Sequence, residues 1–192
     1  MARLNPADDN PALALLLDRR SHHRLTDPGP GAQELDLILR AALRVPDFGG
    51  LRPFRFLAAR GEGRDRLGQA MQRAAVAAGR TAEVIERAPR MPLRAPLVIV
   101  VVASPRADQT VPVFDQQLCA ACTVLTMQLA ARALGYGGVW RSGWLMYDRG
   151  FHREMGFNDR EQIVGFLYLG TPGTDQEPRP TADDPNDYLV WL

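Results

Sequence analysis

The chain has 192 residues, 46% of them hydrophobic, a size and composition that fit one ordinary domain with a packed core. With 23 basic and 22 acidic residues the formal charge is +1, which excludes a strong electrostatic drive towards nucleic acid or an anionic membrane. Every basic residue is arginine, so Schiff-base chemistry and a P-loop lysine are excluded as well.

The first ten residues are polar, carry Asp8 and Asp9, and lack the basic-then-apolar pattern of a signal peptide. A cytoplasmic protein is the simplest expectation. Asn10-Pro11 predicts a helix cap followed by proline at the first helical position. That helix runs to about Asp18 and delivers Arg19-Arg20-Ser21 at its end. Asp27 to Gly31 is a turn of alternating proline and glycine. Leu35, Ile38, Leu39 and Ala42 recur at helical spacing, and Val45-Pro46 closes that helix. A loop from Asp47 to Pro53 leads into a strand from Phe54 to Ala59. Arg64 to Arg80 is helical, with Leu67, Met71, Ala74, Ala75 and Ala78 on one side, and Ala82 to Arg87 continues it past Gly79. Leu97 to Ala103 is a continuous aliphatic run, expected as a fully buried strand and far too short to span a membrane. Val113 to Leu134 is expected as the central buried helix, closed by Gly135 as a left-handed cap. A short strand at Val139-Trp140, a short helix from Arg149 to Met155 and a strand from Ile163 to Leu169 follow. Thr171 to Asp187 reads as extended, and its apolar end, Tyr188 to Leu192, is expected to dock on a second subunit.

Two arginine-serine clusters carry the chemistry. Arg19-Arg20-Ser21 is one; Trp140-Arg141-Ser142-Gly143, straight after Gly135-Tyr136-Gly137-Gly138, is the other. Each offers guanidinium forks, a hydroxyl and nearby backbone N–H groups, the donor set that holds a phosphorylated planar cofactor. Taken alone, Arg19 and Arg20 could equally satisfy the last carbonyls of a helix, Trp140 could be a core aromatic, Arg44 a helix-end arginine, and Arg52 a solvated loop residue. Cys119 and Cys122 form a C-x-x-C inside an apolar helix rather than at its N-terminus, so buried packing is expected over a redox pair. No second ligand pair has zinc spacing, and no basic stripe interleaved with aromatics suggests nucleic acid.

In order, Arg19-Arg20-Ser21, Arg44-Val45-Pro46-Asp47, Arg52-Pro53-Phe54, the Gly135 to Gly143 stretch and Val164 to Pro172 resemble the FMN-dependent nitroreductase family, in its short single-domain bacterial branch. The resemblance covers roughly residues 12 to 192. It implies an α+β fold, a nitroreductase-like three-layer α/β/α sandwich with a mostly antiparallel central sheet, in a single domain spanning residues 1–192. It also implies a domain-swapped homodimer, with residues from about 171 to 192 crossing to the partner and FMN at the interface. Arg19, Arg20 and Ser21 then hold the ribityl chain and phosphate, and Trp140, Arg141 and Ser142 line the ring and phosphate from the same chain. Arg44 and Phe48 come from the partner, and His23 lies near the pyrimidine edge. Relatives often have histidine at Phe48, glutamine at Arg52 and tryptophan at Phe54. The implied reaction passes electrons through flavin N5 from NADH or NADPH to a nitroaromatic, quinone or similar small oxidant, with no catalytic acid or base and no metal. Nicotinamide binding is not written as a Rossmann G-x-G-x-x-G, and the helix end from Ala130 to Gly135 is the contact region expected. Two other readings stand beside this one. A flavin- or ligand-binding module of the same fold with little turnover is motivated by Phe48 and Arg52. Chemistry on an unusual substrate ranks lower, since no lid insertion is evident.

Overall fold

The computed structural model describes residues 10–173 and 184–192. The extended reading of Thr171 to Asp187 and the polar N-terminal reading therefore lie largely outside the described residues.

Helix α1 spans Pro11–Leu17, and the Asn10 side chain accepts hydrogen bonds from the amides of Ala12 and Leu13 at 3.0 and 3.2 Å, as its cap position predicts. Helix α2 covers Ala32–Ala42, α3 Glu62–Ala77 and α4 Ala82–Arg87. Helix α5 covers Val113–Ala133 and α6 Arg149–Glu154. The end of α5 is set by Gly135, at φ +87°, which lets the Tyr136 amide reach back to the Ala131 carbonyl at 2.9 Å.

Five strands form one antiparallel sheet: β1 (Leu25–Thr26), β2 (Phe54–Arg60), β3 (Leu97–Ala103), β4 (Gly137–Arg141) and β5 (Gln162–Pro172). Strand β5 is the hub. It pairs with β3, β4 and β1, and β3 pairs in turn with β2. Every residue of β3 is buried, because helices cover both faces of the sheet. Val98, Val100 and Val102 pack with Leu67, Met71 and Ala75 of α3 on one face. Leu97, Ile99 and Val101 pack with Ile38 of α2 and Val124, Met127 and Ala131 of α5 on the other. A continuous aliphatic run usually marks a parallel strand; here an antiparallel one has the same composition because it, too, is covered twice. The result is the α+β, three-layer arrangement expected.

The register between β3 and β5 slips once. Val101 faces Gly165 and Val102 faces Ile163, which leaves Val164 as the extra residue of a bulge.

One expectation is corrected. Helix α5 is apolar nearly all round, yet only one side is buried, through Cys119, Ala120, Val124, Met127 and Ala131. Val113, Phe114, Leu118 and Leu125 on its other side are exposed, and so is Cys122. The apolar composition is real, but no described residue of this chain covers that side.

Candidate active site

Strand β4 brings the two arginine-serine clusters together, and glycine makes the approach close enough. The His22 amide donates to the Gly138 carbonyl at 3.0 Å, so the segment after α1 lies alongside β4. A Cβ on Gly137 would stand 3.0 Å from His22 Cγ and 2.9 Å from Leu25 Cδ2, so any larger residue would push these side chains back from β4. Gln128 of α5 ties the three elements into one unit: its Nε2 donates to the Gly138 carbonyl at 2.9 Å and to the Arg20 carbonyl at 3.3 Å.

The product is a cleft of about 450 Å³ lined by Arg19, Ser21, Leu125, Gln128, Trp140, Ser142, Met146 and Val164. The Trp140 indole forms its floor. Its Nε1 donates to the Val164 carbonyl at 3.2 Å, the bulged residue of β5. The ring lies so near the backbone that a Cβ on Gly165 would sit 2.2 Å from Nε1. An arginine and two hydroxyls in the lining, with Trp140, Leu125, Met146 and Val164 as its apolar part, suit a flat ligand bearing an anionic group.

Of the residues singled out from sequence, the cleft gathers Arg19, Ser21, Trp140 and Ser142. Arg20 is half-buried beside it, its Nε donating to His22 Nε2 at 3.2 Å. The acceptor role leaves that imidazole neutral, and burial, with the Arg20 and Arg132 charges adding to it, lowers its pKa below 6.5. His23 is exposed and outside the lining. Arg141 follows Trp140 along β4 and turns to the opposite face of the sheet, where its guanidinium lies 5.5 Å from the Tyr168 ring centre. Burial pushes the Tyr168 phenol up to about 12, so that ring stays neutral.

Arg44 and Phe48 are not part of this cleft. Arg44 is exposed just beyond α2, and Phe48, 70% exposed, borders a separate hollow of about 230 Å³ with Val111, Leu118, Cys119 and Cys122. The loop carrying Phe48 is held by Asp47, whose carboxylate accepts from the Leu51 and Arg52 amides at 3.1 and 2.9 Å. Arg52, at φ +50°, donates to the Leu43 carbonyl at 2.7 Å, which makes it a brace for the loop. Burial pushes the Cys119 thiol up to about 11, with Asp47 adding to the effect, so it packs as a small hydrophobe.

Sequence reasoning missed Gln128, Val164 and Gly165. For Gln128 the available signal was a glutamine in the inward register of an apolar helix. The other two stood at the start of the Val164 to Pro172 stretch, but their part in the cleft was not readable from it, since the bulge that aligns them appears only in three dimensions.

The model of the Nitroreductase family matches residues 16–171. The chain is 41% identical over 181 residues to "Putative NAD(P)H nitroreductase YdjA" of Escherichia coli K12, covering 94% of this chain and 99% of that one. It is 33% identical over 184 residues to a putative NAD(P)H nitroreductase of Haemophilus influenzae, covering 94% and 99%. A nitroreductase-like protein from Bacillus cereus superimposes with a TM-score of 0.78 at 26% identity, over 94% of this chain and 95% of that one. A putative nitroreductase from Desulfovibrio desulfuricans, solved in complex with FMN, shares the fold with a TM-score of 0.71 at 23% identity, over 96% and 98%. A matched family model that takes in both arginine-serine clusters, and relatives alike over almost their whole length, place this chain in the nitroreductase family of oxidoreductases.

Proposed function

We propose that this chain is an FMN-dependent NAD(P)H oxidoreductase that passes electrons to a nitroaromatic, quinone or similar flat oxidant, and that it works as a homodimer with the cofactor at the subunit interface. The observation that carries the reading is the meeting of Arg19, Ser21 and Ser142 with the Trp140 floor in one cleft. The donor set fits the group. Guanidinium and hydroxyls pair with a phosphate, the apolar walls suit an isoalloxazine ring, and about 450 Å³ falls within the roughly 300–1,000 Å³ of small-molecule sites. The names of the curated relatives support NAD(P)H as donor, and the FMN held by the Desulfovibrio desulfuricans protein supports the cofactor.

On this reading Arg19, Arg20 and Ser21 hold the phosphate and ribityl chain, with His23 at the pyrimidine edge. Trp140 and Ser142 line the ring. Arg141, whose side chain leaves the cleft, contributes through its main chain at the turn. Arg44 and Phe48 belong to the partner's site, which explains why they stand apart from the cleft of their own chain. When bound, FMN supplies a two-electron carrier that takes hydride from a nicotinamide. The chain's own part is to bind, to orient the ring and to keep water from one face of it.

The test is an absorption spectrum of the purified protein, then anaerobic addition of NADH and of NADPH. Bands near about 370 and 450 nm, set by the flavin itself, that bleach with either nucleotide are expected. Bands that persist would favour a binding module with little turnover. No bands after FMN is supplied would defeat the cofactor assignment.

A further inference from the structure

We infer that Gln128 presents its side-chain carbonyl to the cleft as a fixed acceptor, and that this atom selects a cofactor carrying an N–H or O–H donor at that place. The inference rests on the flavin reading above and adds a specificity-determining residue to it.

Three observations carry it. Gln128 is only 4% exposed, yet it lines the cleft. Both acceptors near its amide are backbone carbonyls, those of Gly138 and Arg20, so the nitrogen must face them at 2.9 and 3.3 Å. A flipped amide would set Oε1 against two carbonyl oxygens and lose both bonds, so the orientation is settled by the network. That leaves Oε1 with no donor among the described residues, and the atom is not sealed in. The other buried glutamine of α5 shows the contrast. Gln116 is satisfied at both ends, its Oε1 accepting from the Arg106 amide at 2.8 Å and its Nε2 donating to the Arg106 and Val111 carbonyls at 3.1 Å. Gln116 closes a loop; Gln128 has one end committed and the other turned to the ligand space. A nearly buried amide oxygen left without a donor is costly, so a ligand that supplies one is preferred to a ligand that does not.

A flavin has two kinds of donor that could meet Oε1, the ring N3–H and a ribityl hydroxyl. The experiment measures Kd for FMN, 3-methyl-FMN and the 2′-, 3′- and 4′-deoxyribityl analogues, by flavin fluorescence, with the wild type and with Gln128→Met. The wild type is expected to bind at least one analogue about tenfold more weakly than FMN. In Gln128→Met that discrimination is expected to vanish, with FMN and the same analogue bound within about twofold of each other. Loss at 3-methyl-FMN assigns the donor to the ring; loss at a deoxy analogue assigns it to the chain. A purely structural glutamine would weaken all ligands alike and leave the ratios untouched, and that result overturns the inference. So does a wild type that discriminates against none of the analogues, an outcome that needs no variant to fold. Gln128→Asn, which keeps the amide but withdraws it by one methylene, is the second variant. If FMN itself does not bind the wild type, the cofactor assignment has failed instead.

Discussion

Trp140 depends on what is missing from Gly165. The indole lies where any β-carbon on residue 165 would have to be, with Nε1 at 2.2 Å and Cδ1 at 2.7 Å from that position. Gly165→Ala is therefore expected to lift the ring from the cleft floor and break its bond to the Val164 carbonyl. Overpacking of this kind costs roughly 1–3 kcal/mol. Urea unfolding with a tryptophan-emission spectrum checks it, and a parallel FMN titration should show weaker binding. An unshifted emission maximum with unchanged FMN affinity would mean that Trp140 does not form the floor. At this scale the sequence was legible where a residue acts through local chemistry. Asn10 caps the helix it precedes, and Arg19, Ser21, Trp140 and Ser142 stand in one cleft because their motifs name the donors it needs. It was not legible where a residue acts through register. Val164 accepts the indole only because β5 carries an extra residue there, and the next position, Gly165, has no signal of its own.

The elements show the same division. The C-terminal end of α5 was readable, because Gly135 acts on the backbone beside it. Strand β1 was not, since two residues, Leu25 and Thr26, are too few for a period, and they pair only with Pro172 and Thr171 at the far end of the chain. Helix α6 carries a prediction of its own. His152 is buried; Arg149 Nη1 donates to its Nδ1 at 3.0 Å, so Nε2 keeps the proton and donates to the Met146 carbonyl at 2.9 Å. Met146 is part of the cleft wall, so this neutral imidazole couples α6 to the site. Burial lowers its pKa below 6.5, and the Arg149 charge adds to that. The sign follows. The unfolded chain takes up a proton as pH falls through about 6.5, while the folded one resists until its lower value. Stability is complete above that range and declines as pH drops into it. His22, also lowered, has the same sign, so His152→Asn should remove only part of the step. Melting temperatures of wild type and variant at about pH 7.5 and 5 decide this; identical pH slopes in the two would show that His152 does not titrate with folding.

For the whole molecule, the distribution of apolar surface is the governing fact. Leu13, Leu16 and Leu17 of α1, Phe114, Leu118 and Leu125 of α5, and the terminal Tyr188 and Trp191, at 77% and 85% exposure, all face outward. Apolar side chains gathered on a helix that already has a full inner face mark a surface meant to be covered. We propose a second copy as the occupant: on the assignment proposed above, Arg44 and Phe48 would serve the partner's cleft, and their own chain does not place them beside its own. Light scattering of the wild type is expected to give twice the chain mass of 21.2 kDa. Leu118→Arg places an unpaired charge in the middle of the outward face of α5, where burial would leave it without a partner. The substitution should shift the mass towards that of one chain without touching the core beneath, since Leu118 lies outside both buried clusters. FMN retention should fall with it, because the proposed contacts from Arg44 and Phe48 leave with the partner. Deleting Tyr188 to Leu192 should act in the same direction, through the tail rather than the helix. A wild type of single-chain mass that still retains FMN would sink the dimer and the assignment of Arg44 and Phe48 together. A Leu118→Arg protein that stays dimeric would move the interface away from α5 and leave the cleft chemistry standing.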